Sequence, residues 1–100
     1  MKLGRVVGTV VSTIKASGLN SCKLLIISPL DARASDPPAG DVDTYVAVDL
    51  VGAGEGEVVL VSFGSAARVA RDAGQTPTDA AIIAVVDTVQ FGLRTAYSKS

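Results

Sequence analysis

The chain of 100 residues has no histidine and no tryptophan, a single cysteine, and only 4% aromatic residues. Without histidine it lacks the commonest general base and metal ligand, and Ser-His and Cys-His nucleophile pairs are excluded. The single cysteine, Cys22, excludes an intramolecular disulfide, and a structural role is favoured for this thiol over a nucleophilic one. These absences remove the most frequent types of catalytic and metal centre, and neither a metal nor a cofactor is expected.

Strong charge and long apolar runs are also missing. The net charge is −1, from 9 basic and 10 acidic residues. A groove for single-stranded nucleic acid uses aromatic platforms along a basic channel, and the composition disfavours both features. No apolar run approaches the roughly 18 residues of a membrane span, and no signal-peptide pattern follows Lys2 and Arg5. We therefore expect a cytosolic protein that binds neither nucleic acid nor membrane.

What the chain does contain is 48% hydrophobic residues, most of them valine, alanine, leucine and isoleucine. The valine and isoleucine favour strands, and the length favours one domain over residues 1–100. Ser65 is a suitable N-cap for a two-turn helix over 65–71. We predict an all-β fold with one short helix, a small five-stranded OB-like β-barrel in 1–90 and a C-terminal tail in 91–100. The five predicted strands are 2–14, 23–28, 44–51, 57–63 and 80–89.

The most distinctive stretch joins the third and fourth predicted strands and contains Gly52, Gly54 and Gly56. Glycine at every second position permits positive φ or close approach of another chain. The stretch predicts a hairpin. It is not a phosphate-binding loop, because it lacks the required Lys and Ser/Thr, carries Glu55 and Glu57, and leads into a strand.

The acidic residues do not form a convincing site. The aspartates in the proline-bearing loop 30–43 lack the order of an EF-hand, and a solvated loop is favoured. Four other carboxylates lie on or beside strands, where a carboxylate more often bonds loop backbone or an arginine such as Arg68 than performs catalysis: Asp49, Glu55, Glu57 and Asp87. A small enzyme would have to depend on Asp49, Glu57 or Asp87.

The first, second and fifth predicted strands have no polar face, although a small barrel hides only one face of each strand. The remaining valine and isoleucine side chains indicate a partner surface, which for identical chains favours a closed symmetric ring or dimer. From the residues alone, an OB-like binding module and a small enzyme remain alternatives to a self-associating structural protein.

Several motifs in one order resemble the EutN/CcmL family of bacterial microcompartment vertex proteins, over nearly the full length of the chain. The most specific are 47–49, 52–54, 56–57, 59–61 and 64–68; the others are 3–8 with Val10, 18–19, 23–25, 29–30, Pro77, 79–80 and 83–87.

The resemblance implies five copies around an axis, which close the corners of a polyhedral carboxysome or metabolosome shell built mainly from hexameric tiles. It implies no reaction, and its expected partners are hexameric and trimeric shell proteins. The loop 32–43 and the tail after Val89 fall outside the motifs and are candidates for selecting the neighbouring tiles. We expect one group of residues to lie near a subunit contact or the five-fold axis: Gly52, Gly54, Gly56, Glu57, Gly64 and Ser65.

Overall fold

The computed structural model describes residues 1–11, 23–30, 43–64 and 79–99. The helix predicted over 65–71, Cys22 and most of the acidic loop lie outside these residues. Within the described residues the regular structure is entirely β-strand. The strands are β1 (Lys2–Val10), β2 (Lys23–Pro29), β3 (Tyr45–Asp49), β4 (Val58–Phe63), β5 (Ala80–Val85), β6 (Thr88–Phe91) and β7 (Arg94–Ser98).

The first five strands form a closed barrel in the order β1-β2-β3-β5-β4. Strand β1 closes it by pairing antiparallel with both β2 and β4. Strands β3 and β5 pair in parallel, and the other neighbours are antiparallel. The predicted five-stranded OB-like barrel is therefore confirmed.

The predicted hairpin of the third and fourth strands is wrong. Strand β5 lies between β3 and β4 and pairs with both, so the glycine-rich connection crosses from one side of β5 to the other. The connection spans 50–57, longer than the about two to five residues of most hairpin loops. The free edges of β3 and β4 are satisfied by a strand that comes later in the chain, which local sequence does not reveal.

The barrel interior is filled by aliphatic side chains from alternate strand positions. In β2, Leu25 and Ile27 are buried, whereas Leu24 and Ile26 are only partly buried, as the alternation of a strand requires. Because one face of each strand fills the barrel, the opposite face lies on its outside. The core cluster consists of Val6, Leu25, Ile27, Ala47, Ala53, Val59, Val61, Ala80 and Ile82.

The predicted fifth strand, 80–89, is interrupted. Strand β5 ends at Val85, and after Asp87 the chain forms a separate two-stranded sheet, β6-β7. Gly92, with φ of 64°, occupies the first position of the two-residue turn between them, where positive φ is favoured. The tail is thus a hairpin, in which β7 continues to Ser98.

Candidate assembly interface

The connection 50–57, which we name the glycine loop, takes its conformation partly from left-handed backbone. Gly52 has φ of 78° and Gly56 has φ of 88°, whereas a Cβ at either position would meet no atom within 4 Å. Gly64, just after β4, behaves in the same way, with φ of 64°. These three glycines are therefore required by the backbone of a single chain, because other residues adopt such φ values at a cost.

Asp49 fixes the start of the glycine loop. Its Oδ1 accepts hydrogen bonds from the backbone N–H groups of Val51 and Gly52, each at 3.1 Å. The Asp49 side chain is 1% exposed, and its Oδ2 lies 3.9 Å from Lys23 Nζ. Lys23 Nζ also donates to the carbonyl of Ala53 at 3.0 Å. The interpretation of Asp49 as a residue that bonds loop backbone is borne out by these contacts.

Backbone bonds to β1 fix the end of the loop. The N–H of Val6 donates to the carbonyl of Glu57 at 2.9 Å, and the N–H of Gly56 donates to the carbonyl of Val6 at 2.8 Å. Arg5 Nη1 donates to the carbonyl of Gly56 at 2.8 Å. Between these two anchored ends, Ala53 is fully buried in the barrel core. The loop is therefore bound to the barrel along its length.

The Glu57 carboxylate links the loop to the C-terminal hairpin. Its Oε1 accepts from the N–H of Gly54 at 2.6 Å, and its Oε2 accepts from Lys99 Nζ at 2.8 Å. A Cβ on Gly54 would lie 3.3 Å from Glu57 Oε1, and Gly54 does not have positive φ. Unlike Gly52 and Gly56, Gly54 is thus not required by left-handed backbone.

The bond from Lys99 holds the pKa of Glu57 below its usual value of 4.5, and the same bond raises the pKa of Lys99 above its usual 10.5. The contribution of Glu57 to stability is fully present above pH 4.5 and is lost as the pH falls through its lowered pKa. The Lys99 contribution is present below pH 10.5 and is lost as the pH rises through the raised pKa. The ion pair between Glu57 and Lys99 should therefore stay intact between the lowered pKa of Glu57 and the raised pKa of Lys99.

We predict that acidification through the pKa of Glu57, which lies below its usual value of 4.5, releases the C-terminal hairpin from Glu57 before the barrel unfolds. The measurement is the NMR chemical shift of the Lys99 side chain during a pH titration. In Glu57→Gln, which retains the side-chain shape without the charge, this transition should disappear. An unchanged transition in that variant would show that another group controls the contact.

The barrel carries an apolar surface on the outside of β1, β2 and β3. The register places Gly8, Ile26 and Val46 side by side, and Val10 beside Leu24. Val46 is 47% exposed, and the other side chains of this surface are partly exposed. We name the set Val10, Leu24, Ile26 and Val46 the outer patch.

The part of the chain that the structure describes contains no group of three or more His, Cys, Asp and Glu residues that could hold a metal ion. In the same residues there is no helix long and apolar enough to cross a membrane.

Comparison with known proteins decides the family. The model of the family described as ethanolamine utilisation protein EutN/carboxysome matches residues 1–87. The chain belongs to this family. The resemblance drawn from the separated sequence motifs is confirmed, and the matched segment ends where β6 begins.

Individual members of the family are similar to this chain in both sequence and structure. The chain is 47% identical to the bacterial microcompartment shell vertex protein GrpN of Rhodospirillum rubrum, over 90% of this chain and 97% of GrpN. The structure titled "GrpN pentameric microcompartment shell protein" superposes with a TM-score of 0.75 at 45% identity, covering 91% of this chain and 98% of that one. The structure of Gloeobacter violaceus CcmL gives a TM-score of 0.86 at 42% identity, covering 99% and 98%.

The structure describes five of the six residues that the sequence placed near a subunit contact. The glycine loop brings Gly52, Gly54, Gly56 and Glu57 together, and Gly64 follows β4. Ser65 lies outside the described residues. Sequence reasoning missed the bond between Glu57 and Lys99, for which there was no signal because the residues are 42 positions apart.

Proposed function

We propose that this chain is a vertex component of a bacterial microcompartment shell and acts as a structural protein, not as an enzyme. Five copies form a ring that closes a corner of the polyhedral shell, which lies in the cytoplasm. The observation that carries the proposal is the outer patch, an apolar surface that a solitary barrel has no reason to expose, in a family with a pentameric member.

The ring requires a large interface between neighbouring copies. Obligate assemblies often bury on the order of 2,000 Å² or more in total, and their contacts are more apolar than those of transient complexes. The aliphatic side chains of the outer patch suit a permanent contact of this kind.

The proposed unit is one domain over residues 1–100, with the barrel core in 1–90 and the tail in 91–100. The proposed shell partners are hexameric and trimeric tiles. Nucleic acid and membrane are not partners in this proposal.

Within the ring we propose that the glycine loop, Gly64 and Ser65 lie near a subunit contact or the five-fold axis. Two properties of the loop support this placement. Its backbone is held by Asp49, Glu57 and β1, so it offers a defined surface at little entropic cost on binding. Gly52 and Gly56 also leave room for a neighbouring chain to approach, since a Cβ at either position would meet no atom within 4 Å.

The test is shell closure on coexpression with the hexameric and trimeric tiles of the same microcompartment, observed by electron microscopy. The native chain should give closed polyhedra, and its omission should give open or elongated shells. Gly54→Val should fail to restore closure, because its side chain would displace the Glu57 carboxylate and so change the loop surface at the proposed contact.

Circular dichroism and thermal unfolding of Gly54→Val provide the control, because they show whether the barrel has folded. Normal closure by a folded Gly54→Val chain would disprove the placement of the loop. Equal closure with and without the native chain would disprove the vertex function itself.

A further inference from the structure

The C-terminal hairpin, residues 88–98, stands apart from the barrel, and we name it the arm. Its strands β6 and β7 pair with each other from Thr88–Ser98 to Phe91–Arg94 and form a sheet separate from the barrel sheet. An isolated two-stranded hairpin is only marginally stable in water and needs a further strand or a packing surface. The arm therefore requires a contact beyond its own strand pairing.

The base of the arm is attached to its own barrel. The N–H of Lys99 donates to the carbonyl of Asp87 at 2.7 Å, and the Lys99 ammonium bonds Glu57 at 2.8 Å. The Arg5 guanidinium carbon lies 5.7 Å from the centroid of the Tyr97 ring, within the range of a cation–π contact. These contacts fix the end of the arm opposite the turn and so define the direction in which it leaves the barrel.

The tip of the arm is apolar where a polar residue is usual. Leu93 occupies the second position of the turn and is 107% exposed, and Phe91, just before the turn, is 45% exposed. Turn positions favour Gly, Asn, Asp and Ser, and burying one leucine is worth about 1.5–3 kcal/mol. A leucine at this position gains that stabilisation only when another surface covers it.

The symmetry of a ring indicates which surface that is. Neighbours in a cyclic ring meet through two different and complementary surfaces, one from each copy. Among the described residues, the tip of the arm and the outer patch are two apolar surfaces of unlike shape, one a projecting turn and the other a sheet face. The shape of the contact is then a projecting side chain from one copy against a partly exposed sheet face of the next.

We propose that the arm of one copy docks on the outer patch of the next copy in the ring, with Leu93 against Ile26 and Val46. This inference rests on the proposed pentamer. The arm follows the segment 1–87 that the family model matches. It strengthens a ring whose barrels already meet, and its loss weakens the ring without abolishing it.

Proximity is tested by cross-linking. In a Cys22→Ser background, Leu93→Cys and Val46→Cys are combined in the assembled ring and treated with a short bismaleimide. The expected result is a ladder of covalent species up to five chains, whereas either cysteine alone gives none. An intact ring that yields no ladder from the double variant would overturn the proposal.

The energetic contribution is tested by native mass spectrometry on dilution of the full chain. Leu93→Ser should raise the concentration at which the ring dissociates by about tenfold or more, since each contact loses a buried leucine. Leu93→Met, which retains an apolar side chain, should remain close to the native chain. The folding of the single chain is preserved in both, because residue 93 is exposed in it.

The outcomes separate this inference from the proposed function. A native chain that forms no pentamer removes the vertex function and the arm contact together. A native pentamer that Leu93→Ser leaves unchanged overturns only the arm contact. Impaired shell closure with an unaltered ring would place the arm against a neighbouring tile and would equally overturn docking within the ring.

Discussion

Val46→Asp is expected to convert the ring into a folded monomer of 10.1 kDa. Val46 lies on the outer face of β3 beside Ile26 and is 47% exposed in the single chain, so a carboxylate there remains hydrated in the monomer. In the ring the same carboxylate would be buried against aliphatic side chains without a partner, which costs several kcal/mol at each contact. Every contact of the ring carries this cost.

The measurement is the native mass of the variant, together with its circular dichroism. Val46→Ile serves as the matched control, because it preserves an apolar side chain at the same position and should retain the ring. A Val46→Asp chain that assembles as tightly as the native chain would show that the outer patch lies away from the subunit contact. A variant that loses its circular dichroism signal instead would show that Val46 is needed by the single barrel.

Gly4→Ala is expected to be the most damaging of the small substitutions in the barrel. Gly4 is buried in β1, between Pro29 of β2 and Val59 of β4. A Cβ here would collide with Cγ2 of Ile27, which is fully buried, and would lie 3.3 Å from the carbonyl oxygen of Ser28. Neither neighbour can withdraw without moving a packed strand. We expect a loss of about 3 kcal/mol in the free energy of unfolding, and a melting temperature lower by about 12 °C or more.

Gly8→Ala is the matched control in the same strand. Its Cβ would lie 3.2 Å from Cδ1 of Ile26, a terminal methyl group on the outside of the barrel that can rotate away. Thermal unfolding followed by circular dichroism compares the two variants at an equal chain concentration low enough to dissociate the ring, because Ile26 belongs to the outer patch. Equal melting temperatures would contradict the close packing of Gly4 against Ile27.

The barrel could be predicted because its signals are local. The aliphatic run of β2 and the valine-rich β4 are short, β-branched segments bounded by turn residues, and both were placed within one residue of their observed ends. The positive φ permitted at Gly52 and Gly56 is likewise a property of residue type. Each of these features depends on a few neighbouring residues.

The errors arose where distant parts of the chain meet. The position of β5 between β3 and β4 depends on hydrogen bonding between strands that are distant in the sequence. The residues that join β3 to β4 favour a hairpin when they are considered alone. The arm was missed because Ala80 to Val89 reads as one apolar run. The two-residue turn at Gly92 and Leu93, between alternating side chains, was the signal that could have revealed it.

The central claim is tested most directly by the native mass of the purified chain, by light scattering or native mass spectrometry over a range of concentrations. The account predicts a species of five times 10.1 kDa, or 50.5 kDa. A stable monomer of 10.1 kDa at every concentration would contradict it, because both the outer patch and the arm tip would then remain exposed to water.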